Sequence, residues 1–388
     1  MHEQIKDAVV VACGRTAYCK ARKGSFANVH PVEYGAQALL GVLSRVPGLR
    51  PEDIGDIMMG CAMPFGVQGA NMARLLVQRA GLPDSVTAQT INRYCSSGLQ
   101  TIATAANAIR CGEEDVIVAG GVESMSMVPM LIGTEDADPW LLEHRPEVYT
   151  IMGITAENVA QRWGISRADM DAMAAESHRR AAQAWAEGRF DSQIVPVTVP
   201  GPDGAPVTVT RDEGVRPGTT VEKLAELKPC FQEDGSVTAA TSSQMTDGAG
   251  FLVLMSAEKA QSMGLKPLAR FVAYATGGVP AEIMGVGPLE AVPKVLAKTG
   301  LTMADMDVVE LNEAFASQAL ACIRELGMDP AKVNPWGGAM ALGHPLGATG
   351  AMLACKALSY LEQTGGRYGM VTMCIGGGMG AAGIFEKL

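Results

Sequence analysis

Acidic residues outnumber basic ones, aromatics are scarce, and no apolar run is long enough to cross a membrane. The 388-residue chain carries a formal net charge of −10. No excess of Lys and Arg exists to neutralise a phosphate backbone, which excludes nucleic acid as the main partner. An anionic substrate would then need basic residues placed locally. No stretch approaches about 20 apolar residues, so no membrane span is expected. The apolar run in the opening MHEQIKDAVVVACGRT is too short for a secretory leader. The nine cysteines contain no C-x-x-C pair and are odd in number. That pattern argues against a metal ribbon or a disulfide framework, and a reducing cytoplasm is the expected compartment.

Hydrophobic residues make up 48% of the chain, aromatics only 5%, while Gly (45) and Met (23) are abundant. Small residues allow helices to pack closely on sheets, and Met fills irregular apolar gaps. The length suits two or three domains. Buried strands are expected at 7–12, 54–60, 86–91 and 115–119, with helices at 31–46, 69–80 and 96–111 between them. The second half repeats this grammar: strand 307–311, helix 313–326, helix 347–363 and strand 368–374. Helix 96–111, strand 115–119 and Gly120-Gly121 match helix 347–363, strand 368–374 and Gly376-Gly377-Gly378 in order, which suggests a duplicated α/β domain. Residues 122–245 differ, with proline-rich turns (Pro196, Pro200, Pro202, Pro206) and charged helices near 155–188. They read as an inserted substrate subdomain. The expected division is 1–121 with 246–265, then 122–245, then 266–388.

Four segments carry chemistry. In Asn92-Arg93-Tyr94-Cys95-Ser96-Ser97-Gly98, Cys95 precedes a helix, where free N–H groups favour a thiolate and can serve an oxyanion. The competing reading is a small buried hydrophobe. In Gly337-Gly338-Ala339-Met340-Ala341-Leu342-Gly343-His344-Pro345, His344 sits on a Gly/Pro loop, placed to activate a thiol or simply to tie down the turn. The other histidines (His2, His30, His144, His178) are expected at the solvated surface. Cys374-Ile375-Gly376-Gly377-Gly378-Met379-Gly380 ends a strand, and its glycines let backbone N–H groups approach a ligand. A dinucleotide site fails here, because no βαβ unit follows the glycines. In Leu311-Asn312-Glu313-Ala314-Phe315, Asn312 either caps the next helix or holds a water or oxyanion.

Together these segments resemble the thiolase family along essentially the whole chain. Asn312 to His344 is 344−312 = 32 positions, and His344 to Cys374 is 374−344 = 30. The segments around Gly120-Gly121-Val122-Glu123-Ser124-Met125, Met152-Gly153-Ile154-Thr155 and Ser242-Ser243-Gln244-Met245 resemble the family too. The resemblance implies an α/β thiolase fold: two βαβαβαββ halves in a five-layer α-β-α-β-α core with an inserted loop domain. It also implies Cys95 as nucleophile and Cys374 as acid/base, with His344 and Asn312 beside them. The N–H groups of Cys95 and Gly376 would form one oxyanion hole. Arg216 and Ser243 would contact coenzyme A, the co-substrate, and Met152 and Phe315 would wall the acyl pocket. No metal or organic cofactor is implied. The expected partners are acyl-CoA and CoA, a second copy of the chain (a homodimer or dimer of dimers), and a possible hydratase/dehydrogenase subunit.

The segments around Cys95 and Gly121 look more like degradative 3-ketoacyl-CoA thiolases than biosynthetic acetoacetyl-CoA thiolases. Ile151 stands where the biosynthetic group has His, and an apolar wall there suits longer acyl chains. Three positions depart from the family pattern: Trp336, which lies eight residues before His344 and so could reshape the pocket, Ala240-Thr241, and Cys13-Gly14. The rival readings are a related ketosynthase, which would lack Cys374, and a non-catalytic acyl-CoA-binding protein of the same fold.

Overall fold

The computed structural model describes residues 6–130, 136–201 and 203–388. The first half runs β1 (Ala8–Arg15), β2 (Cys19–Lys20), α1 (Pro31–Leu43), β3 (Asp56–Gly60), α2 (Met72–Arg79), β4 (Thr87–Ile91), α3 (Ser97–Arg110) and β5 (Val116–Glu123). An excursion follows, with α4 (Pro139–His144), α5 (Met152–Arg162), α6 (Arg167–Ala186), the hairpin β6 (Val197–Pro200) and β7 (Pro206–Val209), and α7 (Val221–Ala225). The chain returns as β8 (Thr246–Ser256) and α8 (Ala257–Ser262). The second half is β9 (Ala269–Gly278), α9 (Pro288–Thr299), β10 (Val308–Leu311), α10 (Ala316–Glu325), α11 (Leu346–Thr364), β11 (Tyr368–Ile375) and β12 (Met379–Lys387).

Two sheets of matching topology meet at one edge. The first has the order β4-β3-β5-β8-β1, and the second continues β9-β12-β11-β10. In both, the outer pairs are parallel and the inner pairs antiparallel. The second-half counterpart of β4 is reduced to a bridge between Val309 and Val333. Only Val9–Arg270 and Val10–Ala269 pair across the junction of β1 and β9, so the two sheets behave as separate layers.

Helices fill the remaining layers. Helices α1 and α2 cover the outer face of the first sheet, and α9 and α10 that of the second. Helices α3 and α11 lie between the sheets in a shared core with Leu99, Ile102, Leu353 and Leu358. A helix between two sheets has no solvated face, and α11 is buried along nearly its whole length. Strands covered on both faces read as continuous apolar runs rather than alternating ones, as in Val116–Glu123. The five-layer α-β-α-β-α arrangement agrees with the expected fold.

Close approach of α3 and α11 depends on glycine. A Cβ on Gly98 would stand 2.8 Å from the backbone nitrogen of Ala351, and one on Gly350 would collide with the backbone nitrogen of Leu99. Both contacts lie within the first two turns of the helices, so the loops that precede them converge.

Candidate active site

Those loops carry Cys95 and His344. Between β4 and α3 the backbone turns sharply at Tyr94, whose φ of 43° is unusual for a residue with a side chain. Such strain costs on the order of 1–3 kcal/mol and persists only where neighbours enforce it. Here the Ser97 hydroxyl donates to the Tyr94 carbonyl (2.6 Å) and accepts from the Arg93 N–H, while Asn92 accepts from the Tyr94 N–H. The turn presents Cys95, half-buried, with its own N–H and that of Gly376 directed at the sulfur. Burial pushes the Cys95 thiol up to about 11, against the pull of those two N–H groups. The expected preference for thiolate is therefore outweighed by desolvation in the free protein.

Cys374 lies near the end of β11, fully buried, and close enough to Cys95 for the two to interact electrostatically. Burial first, and then the neighbouring Cys95, push its thiol well up. On the adjacent parallel strand β10, Leu311 pairs with Thr372, and the Asn312 N–H donates to the Thr372 carbonyl (3.0 Å). Asn312 does not cap α10. That helix begins at Ala316, because Phe315 is extended and bridges Ser242. The Asn312 amide instead lies 3.3 Å from His344 Nε2, and its Oδ1 is buried with no hydrogen-bond partner among the described residues.

His344 is buried, which pulls its imidazole down to about 4. Its Nδ1 lies 2.6 Å from the Thr349 hydroxyl on the first turn of α11. A proton on Nδ1, donated to Thr349, leaves the Nε2 lone pair facing the Asn312 amide. The Gly-rich loop before His344 is held from several sides. Glu313 accepts from Ser177, Asn334 and the Met340 N–H, and Ser177 accepts from the Gly338 N–H. The Gln244 side-chain amide donates to the carbonyls of Met340 and Ala341, and the Gln244 main-chain carbonyl accepts the His344 N–H. Lys356 of α11 donates to the Gly337 carbonyl and pairs with Glu310 at 2.8 Å, both residues fully buried. Glu123 accepts from the Ala62, Met63 and Gly347 N–H groups, fastening β5 to the start of α11.

Met152 and Phe315 join one apolar cluster with Cys374, Met284 and Met340, and Phe231 meets Phe315 edge-on. Arg216 is exposed on a turn whose Gly214 carbonyl accepts from Gln244. Ser243 is half-buried, and its N–H donates to Ala314. Gly376 is half-buried beside Tyr94. Two expectations are corrected. His178 is not solvated: it is buried on α6, accepts the Arg216 N–H at Nδ1 (3.1 Å), and is held down to about 4 by burial and then by Arg216. Trp336 does not face the pocket cluster; it packs against Phe190 and Tyr360 on the other side of the loop. His2 lies outside the described residues.

Comparison with known proteins agrees with this geometry. The family model for the thiolase N-terminal domain matches residues 8–258, and that for the thiolase C-terminal domain matches 265–387. The chain belongs to the thiolase family. Among similar thiolases, the Bacillus subtilis protein named 3-ketoacyl-CoA thiolase is 51% identical over 98% of this chain and 100% of its own length. The human peroxisomal 3-ketoacyl-CoA thiolase is 47% identical, covering 98% of this chain and 91% of that one. The crystal structure of the Bacillus anthracis acetyl-CoA acetyltransferase superposes with a TM-score of 0.92 at 40% identity, over 99% of both chains.

Sequence reasoning missed the residues that hold this thiolase site in shape: Thr349, Gln244, Ser177, Glu313 and Lys356. One signal was present for Lys356, a single cation in an otherwise apolar stretch of α11, which must find a partner when buried.

Proposed function

We propose that this thiolase is degradative: it cleaves 3-ketoacyl-CoA with CoA to give acetyl-CoA and an acyl-CoA shortened by two carbons. The observation that carries this reading is the convergence of Cys95, Cys374, His344 and Asn312 at the strand ends, with 51% identity to a protein named 3-ketoacyl-CoA thiolase. Cys95 starts as a thiol, so attack on the 3-keto carbon needs a base. Neutral His344, whose unprotonated Nε2 shares only the long 3.3 Å contact with the Asn312 amide, suits that task. The C2–C3 bond then breaks, leaving an acyl group on Cys95 and an acetyl-CoA enolate, which Cys374 protonates. CoA enters next, Cys374 takes its thiol proton, and the resulting thiolate carries the acyl group away.

Two oxyanions form. The N–H groups of Cys95 and Gly376 suit the tetrahedral intermediate, since both already point at the sulfur. His344 and a water on the unpaired Oδ1 of Asn312 suit the enolate oxygen. Such donors are worth about 3–4 kcal/mol each. The thioester itself stabilises the carbanion, so neither metal nor organic cofactor is required. Arg216 and Ser243 are assigned to CoA, and the cluster of Met152, Phe315 and Cys374 supports an apolar acyl pocket. A homodimer is favoured, with β4 as its contact: this edge strand has one neighbour and is partly exposed, an arrangement that invites pairing with a second chain. The cytoplasm is the proposed compartment, and the nine unpaired cysteines suit it. No helix among the described residues is long and apolar enough to cross a membrane.

The biosynthetic reading, condensation of two acetyl-CoA, is favoured by the likeness to the acetyl-CoA acetyltransferase. Against it stands Ile151, an apolar residue 46% exposed at the start of α5. Cleavage assays on 3-ketoacyl-CoA esters from C4 to C16 decide between them. Turnover on C8 and longer at least equal to that on C4 supports the degradative assignment. Activity confined to C4 moves the protein to the biosynthetic group.

A further inference from the structure

Glu313 takes part in no step above, yet it lies between two residues that share one. It follows Asn312 directly in the chain, and its side chain is buried against the loop that leads to His344. One carboxylate oxygen accepts from the Ser177 hydroxyl of α6 (2.7 Å) and from the Met340 N–H (3.2 Å). The other accepts from the Asn334 amide (3.0 Å). Ser177 in turn accepts the Gly338 N–H at 2.9 Å. Gly338 rests on the same carboxylate, with which a Cβ would collide, so the close approach of the loop depends on glycine there.

These contacts close a ring. Met340 donates its N–H to Glu313 and offers its carbonyl to the Gln244 side chain (2.9 Å). The Gln244 main-chain carbonyl accepts the His344 N–H (3.0 Å). His344 Nε2 then meets the Asn312 amide at 3.3 Å, one residue from the starting point. Asn334 braces the strand side. With a φ of 45°, it turns its side-chain amide onto Leu311, accepting the N–H (3.0 Å) and donating to the carbonyl (2.8 Å) as a neighbouring strand would. The turn that presents Cys95 lies outside the ring, being set by Asn92 and Ser97.

We propose that Glu313 is a positioning residue for the enolate half of the reaction: it fixes His344 against Asn312 and leaves the oxyanion hole at Cys95 alone. The assignment rests on the mechanism proposed above. A carboxylate is required because every polar group that meets it is a donor. In Glu313→Gln one end of the amide becomes an NH2, which must face either the Met340 N–H or the Asn334 amide. Asn334 cannot flip in response, since its two ends already match the Leu311 N–H and carbonyl. A buried donor set against a donor moves away. Either displacement opens the ring, at the loop of His344 or at the strand end that carries Asn312.

The test compares two readouts in the wild-type protein and Glu313→Gln. The first is exchange of the acetyl-CoA methyl protons in deuterium oxide, where Cys374 removes a proton, the enolate forms and a deuteron returns. The second is alkylation of Cys95 by iodoacetamide at pH 9, followed on the tryptic peptide 94–110, which needs no oxyanion hole. Exchange is expected to fall about 100-fold in Glu313→Gln, with alkylation within about twofold of wild-type. Ser177→Ala serves where that variant folds poorly, and should lower exchange about tenfold with alkylation again preserved. The assignment is overturned if exchange survives at the wild-type rate in either folded variant, or if exchange and alkylation fall together. No exchange by the wild-type protein would overturn the mechanism above and this assignment with it.

Discussion

Burial and hydrogen bonding pull Cys95 in opposite directions, and burial prevails before substrate arrives. The two N–H groups at its sulfur fit an oxyanion as well as a thiolate, and they serve the reaction best once the charge has moved onto substrate oxygen. A thiol held up at about 11 ionises only slightly at neutral pH. Its alkylation by iodoacetamide should therefore rise roughly tenfold per pH unit from 7 to 10, and a plateau below pH 8 would contradict the burial argument. Thr349 gives the second test at this scale. Removing its hydroxyl in Thr349→Val frees His344 Nδ1, and kcat should fall by about 10–100-fold with KM nearly unchanged, while Thr349→Ser restores it. Equal losses in both parameters would point to general damage. Cys95, His344, Asn312 and Cys374 stood out in the sequence because each sits among glycines or at a strand end. Thr349 and Gln244 did not, since a hydroxyl or amide that orients another side chain looks like any other polar residue until the fold brings them together.

At the scale of elements, the site depends on two helices that touch through glycine near their N-termini. In Gly350→Ala the added Cβ meets the Leu99 backbone, which cannot rotate away. The expected cost is about 1–3 kcal/mol of stability, together with a loss of turnover that exceeds the loss of folded protein, because Cys95 and His344 are moved apart. Urea unfolding and kcat measured on the same preparation test this, and a stable, fully active variant would refute the packing argument. The parallel strands and their helices were legible because apolar runs alternate with helical ones there. Strands β8, β9 and β12 were not. Strands β8 and β12 are apolar and glycine-containing without alternation, since a strand covered on both faces has no solvated side to mark it, while β9 alternates only in part, with Arg270, Tyr274 and Thr276 on its half-buried face. Helix α10 starts three residues later than expected, because the turn before it is extended to deliver Asn312 and Phe315.

For the whole molecule, duplication was readable from the repeated order of helix, strand and glycines, while the direction of Trp336 and the burial of His178 were not. Both depend on α6 of the excursion folding back over the second half. Burial of His178 links this packing to pH. Its folded value of about 4 lies below the ordinary 6.5, so the unfolded chain takes up the proton first. The stability it supports is complete above pH 6.5 and is lost as pH falls towards 4. Glu310 works in the opposite sense, being raised by burial to about 7 against the pull of Lys356, so a difference between two proteins isolates the histidine. Over that pH range wild-type should lose up to about 3 kcal/mol more than His178→Gln, and parallel stability curves would contradict the assignment.

The central claim is that Cys95 carries the acyl group while Cys374 handles protons. It is tested most directly by mixing the Cys374→Ser protein with octanoyl-CoA and mapping the product by mass. The account predicts an octanoyl group on peptide 94–110 and none on any peptide of the Cys95→Ser protein. An acyl group on a different cysteine, or none on folded protein that binds the ester, would contradict it.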